Sequence, residues 1–282
     1  MDVSCPQLAP GTRRATLKVG DPTAGAARGT ILFASGWTGT LFWQQWGAEA
    51  PRVITELRAA GFRTVQLAWQ TTWFDGTASW FEGIALLACR PATVMRWVYD
   101  HLYTPAAGTA FCAGGDSNGA SEIAYGLTQY GLADILSAVE LDGGPNWARV
   151  DIGCYGNDIT NQKLWYSLNS RNNVDWAFGY PGDNMGPCAV RDPRFLGRFQ
   201  STSLAFGRWP FVYPHTMVHL LFGDGDITAT SGHGRYYYNQ LQAAGSPLLQ
   251  MDIVPNTPHT VASTPAGADM IRDVFLDECV PY

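Results

Sequence analysis

The 282-residue chain is 46% apolar and carries 18 basic against 24 acidic side chains, for a net charge of −6. An apolar fraction of this size supports a large core and a single α/β domain over residues 1–282, while the acidic balance lacks the basic excess that nucleic acid or anionic membranes select. No apolar run reaches the length of a membrane span, and the opening MDVSCPQLAP lacks the basic and apolar regions of a secretory leader.

In chain order, RATLKV (14–19) suits a short strand and the Gly/Pro-broken DPTAGAARG a loop. GTILFAS (29–35) is a continuous apolar run of buried-strand length, followed by SGWTG. Val53, Ile54, Leu57 and Ala60 recur at helical spacing, and Gly61 closes that helix. FRTVQLAW (62–69) is the next strand. A tryptophan-rich connection then leads to a helix over 91–103, a strand over 109–114, a helix from Ser117 to about Gly131, and a strand over 135–142. This alternation of mostly apolar strands with helices predicts a doubly wound, mostly parallel sheet covered on both faces.

Between 143 and 215 the alternation stops, in a segment rich in aromatic, Gly, Asn and Pro residues. A connection this long is expected to be functional, as an aromatic-rich insertion or cap whose rings mainly pack a small core of their own. The pattern resumes with a strand over 217–223, a helix over 236–244, a strand over 248–254 and a closing helix over 265–278 with Thr264 as its N-cap.

Six cysteines (Cys5, Cys89, Cys112, Cys154, Cys188 and Cys279) show no C-x-x-C spacing. This points to disulfides in an oxidising compartment, and so to an extracellular rather than cytoplasmic protein whose leader has been removed. The expected pairs are Cys89 with Cys112, Cys154 with Cys188, and Cys5 with Cys279. The first follows from Pro91, which suits the first turn of a helix starting near the end of the strand that holds Cys112.

The stretch FCAGGDSNGAS (111–121) places Ser117 between Gly115 and Gly119, at a turn from strand to helix. This is the G-x-S-x-G pattern, in which a strained turn exposes a serine and needs small flanking residues. A serine hydroxyl becomes a nucleophile when a histidine takes its proton, and that imidazole needs a carboxylate to hold its tautomer. On an elbow of this kind the order is serine, acid, histidine, each on a loop after a strand. His259, after Pro258 on the loop following the last strand, fits the base, while His233 reads as a polar residue near a helix start. Asp226 in GDGD fits the acid, because a few residues beyond the strand leave room to turn back; Asp224 and Asp142 are the other candidates. The backbone N–H groups of Asn118 and Trp37 are the expected oxyanion donors. Trp37, Trp43 and Trp46 are candidates to line an apolar pocket. No metal or cofactor is called for.

Over roughly 29–280, with GDSNG, Asp226 and His259 as its marks, the chain resembles an α/β-hydrolase. The resemblance implies an eight-stranded, mostly parallel sheet, carboxylic ester hydrolysis and no metal. GDSNG resembles the GDSAG elbow of hormone-sensitive-lipase-like esterases, but SGWTG stands where that group carries HGGG, so no subfamily is assigned. The expected substrates are neutral apolar or aromatic esters, polyesters included. An amidase, peptidase or acyltransferase with the same triad is the alternative, followed by a non-catalytic binding protein on this fold.

Overall fold

The computed structural model describes residues 1–8, 12–76, 82–157, 159–207 and 209–281, so positions 77–81 of the tryptophan-rich connection lie outside the described residues. The chain opens with β1 (Asp2–Val3), β2 (Arg13–Gly20) and β3 (Gly29–Ala34). Next come α1 (Ala50–Ala59), β4 (Phe62–Trp69), the short α2 (Ile84–Leu87), α3 (Cys89–His101), β5 (Ala110–Asp116), α4 (Asn118–Gln129) and β6 (Ala138–Asp142). The segment after β6 contains α5 (Val150–Tyr155), α6 (Leu168–Ala177) and α7 (Leu196–Thr202). The regular pattern closes with β7 (Met217–Gly223), α8 (Ala229–Ala244), β8 (Leu249–Val254) and α9 (Pro265–Glu278).

The described strands form one eight-stranded sheet in the order β1-β2-β4-β3-β5-β6-β7-β8. β2 runs antiparallel to both its neighbours, β1 and β4, and every other pair is parallel. Every residue of β3, β5, β6 and β7 is buried, as expected of strands covered on both faces, whereas the edge strand β8 is largely open. Ile31, Phe33, Cys112 and Leu221 face α1 and α9, and Leu32, Phe111, Val139 and Leu220 face the layer holding α3, α4 and α8. That two-sided covering is the expected doubly wound architecture.

Several boundaries differ from the expected ones for identifiable reasons. α8 begins at Ala229, seven residues before the expected start. Its glycines serve close packing: a Cβ on Gly232 would lie 2.4 Å from Lys163 O, and one on Gly234 2.3 Å from Gly144 O. β6 begins at Ala138 because residues 132–134 form a 3-10 turn. In the segment after β6, rings of Tyr155, Phe178, Tyr180, Phe195 and Phe199 pack in pairs with centroids 5.5 to 6.0 Å apart.

Cys154 pairs with Cys188 as expected, but the other two pairs exchange partners, to Cys5–Cys89 and Cys112–Cys279. The expected Cys89–Cys112 bridge fails on sidedness: Cys112 points toward α9, while α3 packs on the opposite face. Cys5–Cys279 fails because β1 brings Cys5 beside α3, whereas α9 ends at Cys279 under β5.

Candidate functional site

The turn between β5 and α4 holds Ser117 at φ 54° and ψ −111°, a conformation that side-chain-bearing residues rarely adopt. Its neighbours must be glycine: a Cβ on Gly115 would meet Gly119 C at 2.5 Å, and one on Gly119 would meet Ala34 O at 2.2 Å. The Ser117 N–H donates to Asp142 O at 2.8 Å, which ties the turn to the end of β6.

His259, on the loop after β8, and Asp226, after β7, come together across the ends of those parallel strands. His259 Nδ1 and Asp226 Oδ2 are 2.8 Å apart. Asp226 Oδ1 also accepts from Thr228 N–H at 2.8 Å and Thr228 Oγ1 at 2.6 Å, so both carboxylate oxygens are engaged. Burial works to raise the Asp226 pKa, but the bond and charge of His259 and the Thr228 donors hold it below the ordinary carboxylate value. Burial likewise works to lower the His259 pKa, yet its bond to Asp226 and the charges of Asp116 and Asp226 raise it above the ordinary imidazole value.

The other candidate acids do different work. Asp224 Oδ1 accepts from Thr257 N–H at 3.3 Å and braces the loop before His259. Asp142 is fully buried beside Asp116 on the α9 face, where burial and the neighbouring carboxyls raise its pKa far above the ordinary value. His233 is a core residue: it accepts from Arg149 N–H at 3.1 Å, its Nε2 lies 2.9 Å from Leu164 O, and burial pushes its pKa down to about 4.

Ser117, Asn118, Trp37 and His259 line one cavity of about 540 Å³, within the usual range for small-molecule sites. The N–H of Asn118, as the first residue of α4, has no partner within its helix. Trp37 sits at φ 53° and is 57% exposed, and its backbone N–H takes no hydrogen bond among the described residues. Trp46 also lines the cavity, whereas Trp43 is buried against Phe33 with ring centroids 4.8 Å apart.

Asn146, a residue sequence reasoning does not single out, stands beside Ser117. Its Nδ2 donates to Ser117 Oγ at 3.3 Å and also to Asn118 Oδ1. Asn118 Nδ2 in turn donates to Trp37 O, which fixes the orientation of both amides. Asn146 is anchored by its N–H on Ser121 Oγ at 2.8 Å and its carbonyl on Tyr166 OH at 2.9 Å. Its only sequence signal is the GGPN turn directly after β6. Ser117 Oγ is engaged with Asn146 and makes no hydrogen bond to His259 here.

No protein-family model and no curated protein sequence matches the chain. Solved structures do. A dienelactone hydrolase from Anabaena variabilis is 15% identical with TM-score 0.52, over 99% of this chain and 94% of its own. A thermostable carboxyl esterase from Bacillus coagulans is 14% identical with TM-score 0.60, over 98% and 96%. A monoacylglycerol lipase from Paleococcus ferrophilus is 13% identical with TM-score 0.54, over 94% and 97%. At such identities the likeness concerns the fold, and together with the strand order and the two-sided covering it identifies the chain as having the fold of the α/β-hydrolase superfamily.

Proposed function

We propose that the chain is a serine hydrolase that cleaves neutral carboxylic esters through an acyl-enzyme. The observation that carries this reading is the Asp226–His259 hydrogen bond beside a cavity that Ser117 enters from a strained turn. Ser117 Oγ turns from Asn146 to His259 Nε2, gives up its proton and attacks the acyl carbon. Asp226 holds the tautomer with Nε2 free and balances the charge on the imidazolium. The N–H groups of Asn118 and Trp37 receive the oxyanion, and Trp37 and Trp46 face the acyl group. His259 then protonates the leaving alcohol, and water activated by the same imidazole releases the acid.

Three disulfides favour a secreted protein, and among the described residues no helix is long and apolar enough to cross a membrane. The segment 143–215 is the part of a single domain that shapes the cavity, since it contributes Trp165, Tyr166 and the start of α6 to the lining.

Hydrolysis of p-nitrophenyl acetate, lost in Ser117→Ala and blocked by a phosphonate recovered on the Ser117 peptide, is the expected result. Activity retained in Ser117→Ala would overturn the reading.

A further inference from the structure

The cavity before Ser117 has an unusual balance of chemistry. Among the described residues none of its lining side chains is Lys, Arg, Asp or Glu, so a charged ligand finds no counter-charge there. One wall is the start of α6. Ser167 caps this helix by accepting from Ser170 N–H at 3.3 Å, and Asn169, Ser170 and Asn173 follow at helical spacing on the cavity side. Further along the same helix, Val174 and Ala177 are buried in the core.

The amides of Asn169 and Asn173 take no protein partner among the described residues, and an amide offers both donors and acceptors to a ligand. Beside this polar wall stands the indole of Trp165. A ring with apolar C–H faces and a rim of neutral hydroxyls matches both surfaces at once: its faces lie on indole and its rim meets amide and hydroxyl groups.

We infer that the alcohol half of the substrate is a polyhydroxylated ring, so that the physiological substrate is a sugar ester with its acyl group toward Ser117. This rests on the esterase reading above. In the reaction the carbonyl carbon bonds to Ser117 Oγ, the bond to the sugar oxygen breaks, and that oxygen leaves as a hydroxyl with the proton held by His259. Water then cleaves the acyl-serine.

Two measurements test it. In Ser117→Ala, which cannot turn over, tryptophan fluorescence titrated with an O-acetylated methyl glucoside should change saturably. Adding Asn169→Ala and Asn173→Ala should weaken that binding about tenfold, the loss expected for two neutral hydrogen bonds. Asn169→Asp alone, at an exposed position, should weaken it as well. In the wild type, kcat/KM for the glucoside should exceed that for ethyl acetate by about tenfold or more. Cleavage of p-nitrophenyl acetate without saturable glucoside binding, or binding unaffected by these substitutions, overturns the sugar inference and leaves the esterase standing. Saturable binding with no cleavage of either ester supports the sugar site and overturns the esterase reading.

Discussion

Asp226 Oδ2 lies 2.8 Å from His259 Nδ1, with the carboxylate fully enclosed and the imidazole 27% exposed. The pair sets the expected pH dependence. A base must be neutral, and the His259 pKa is raised above its ordinary 6.5, so kcat/KM should fall as pH drops through a midpoint above that value. Asp226→Asn removes the hydrogen bond and charge while leaving the burial that lowers the pKa. The midpoint should move down, and the rate should fall by about 10⁴-fold. A wild-type acid limb below pH 6.5, seen in a pH profile on a neutral ester, would contradict the assignment.

Asn146 should act on the rate more than on binding. Asn146→Ala removes the donor on Ser117 Oγ and the donor on Asn118 Oδ1, which steadies the amide that donates to Trp37 O. A fall in kcat of about tenfold with KM little changed is expected from stopped-time assays of wild type and variant. A change confined to KM would place Asn146 in substrate binding instead.

Backbone strain at Ser117 separates two inactive variants. Ser117→Gly and Ser117→Ala both lose the hydroxyl, but only glycine adopts φ 54° without cost. Chemical denaturation should find the glycine variant more stable than the alanine variant by about 1 kcal/mol. Gly119→Ala, which drives a Cβ against the Ala34 backbone, should instead destabilise by about 3 kcal/mol or more.

Asp116, Glu140 and Asp142 are buried on the α9 face at the centre of the sheet, and His219 of β7 is the cross-strand neighbour of Glu140. Among the described residues neither Glu140 oxygen has a hydrogen-bond partner, and burial together with the Asp116 charge raises its pKa far above 4.5. The folded state therefore keeps a proton that the unfolded chain releases above that pH. The resulting stability is complete below pH 4.5 and declines as pH rises toward the folded value. Urea midpoints should be higher at mildly acidic than at alkaline pH, and Glu140→Gln should flatten that dependence. An unchanged slope in Glu140→Gln would show that the residue is charged in the fold.

The disulfides give a direct chemical check. Peptide mapping without reduction should recover Cys5–Cys89, Cys112–Cys279 and Cys154–Cys188. Replacing both Cys112 and Cys279 by Ala should cost about 3–5 kcal/mol, since that bridge closes a 167-residue separation.

What the sequence made legible is what short-range chemistry encodes. Buried strands read as apolar runs, the elbow reads from Gly115 and Gly119, and the position of His259 follows from chain order. Asn146 is silent because only the pairing of β5 with β6 carries it to Ser117, and no local spacing records which loops meet. The start of α8 misleads for a different reason: Gly232 and Gly234 look like helix breakers but are there to admit Lys163 and Gly144. Disulfide partners depend on which face of the sheet a cysteine takes, and that is settled by the whole fold. The polar wall of α6 lies in a segment whose periodicity is too weak to place its helix.

The Cys154–Cys188 bridge joins the end of α5 to the stretch after α6. The polar wall thus sits in a loop of chain fastened to itself, while Ser117, Asp226 and His259 are held by strand ends elsewhere. On the proposed reading, recognition and bond cleavage are separately mounted. Exchanging the stapled loop for another of the same span should retune the choice of alcohol without rebuilding the machinery that breaks the ester, which makes it the natural place to graft a new specificity.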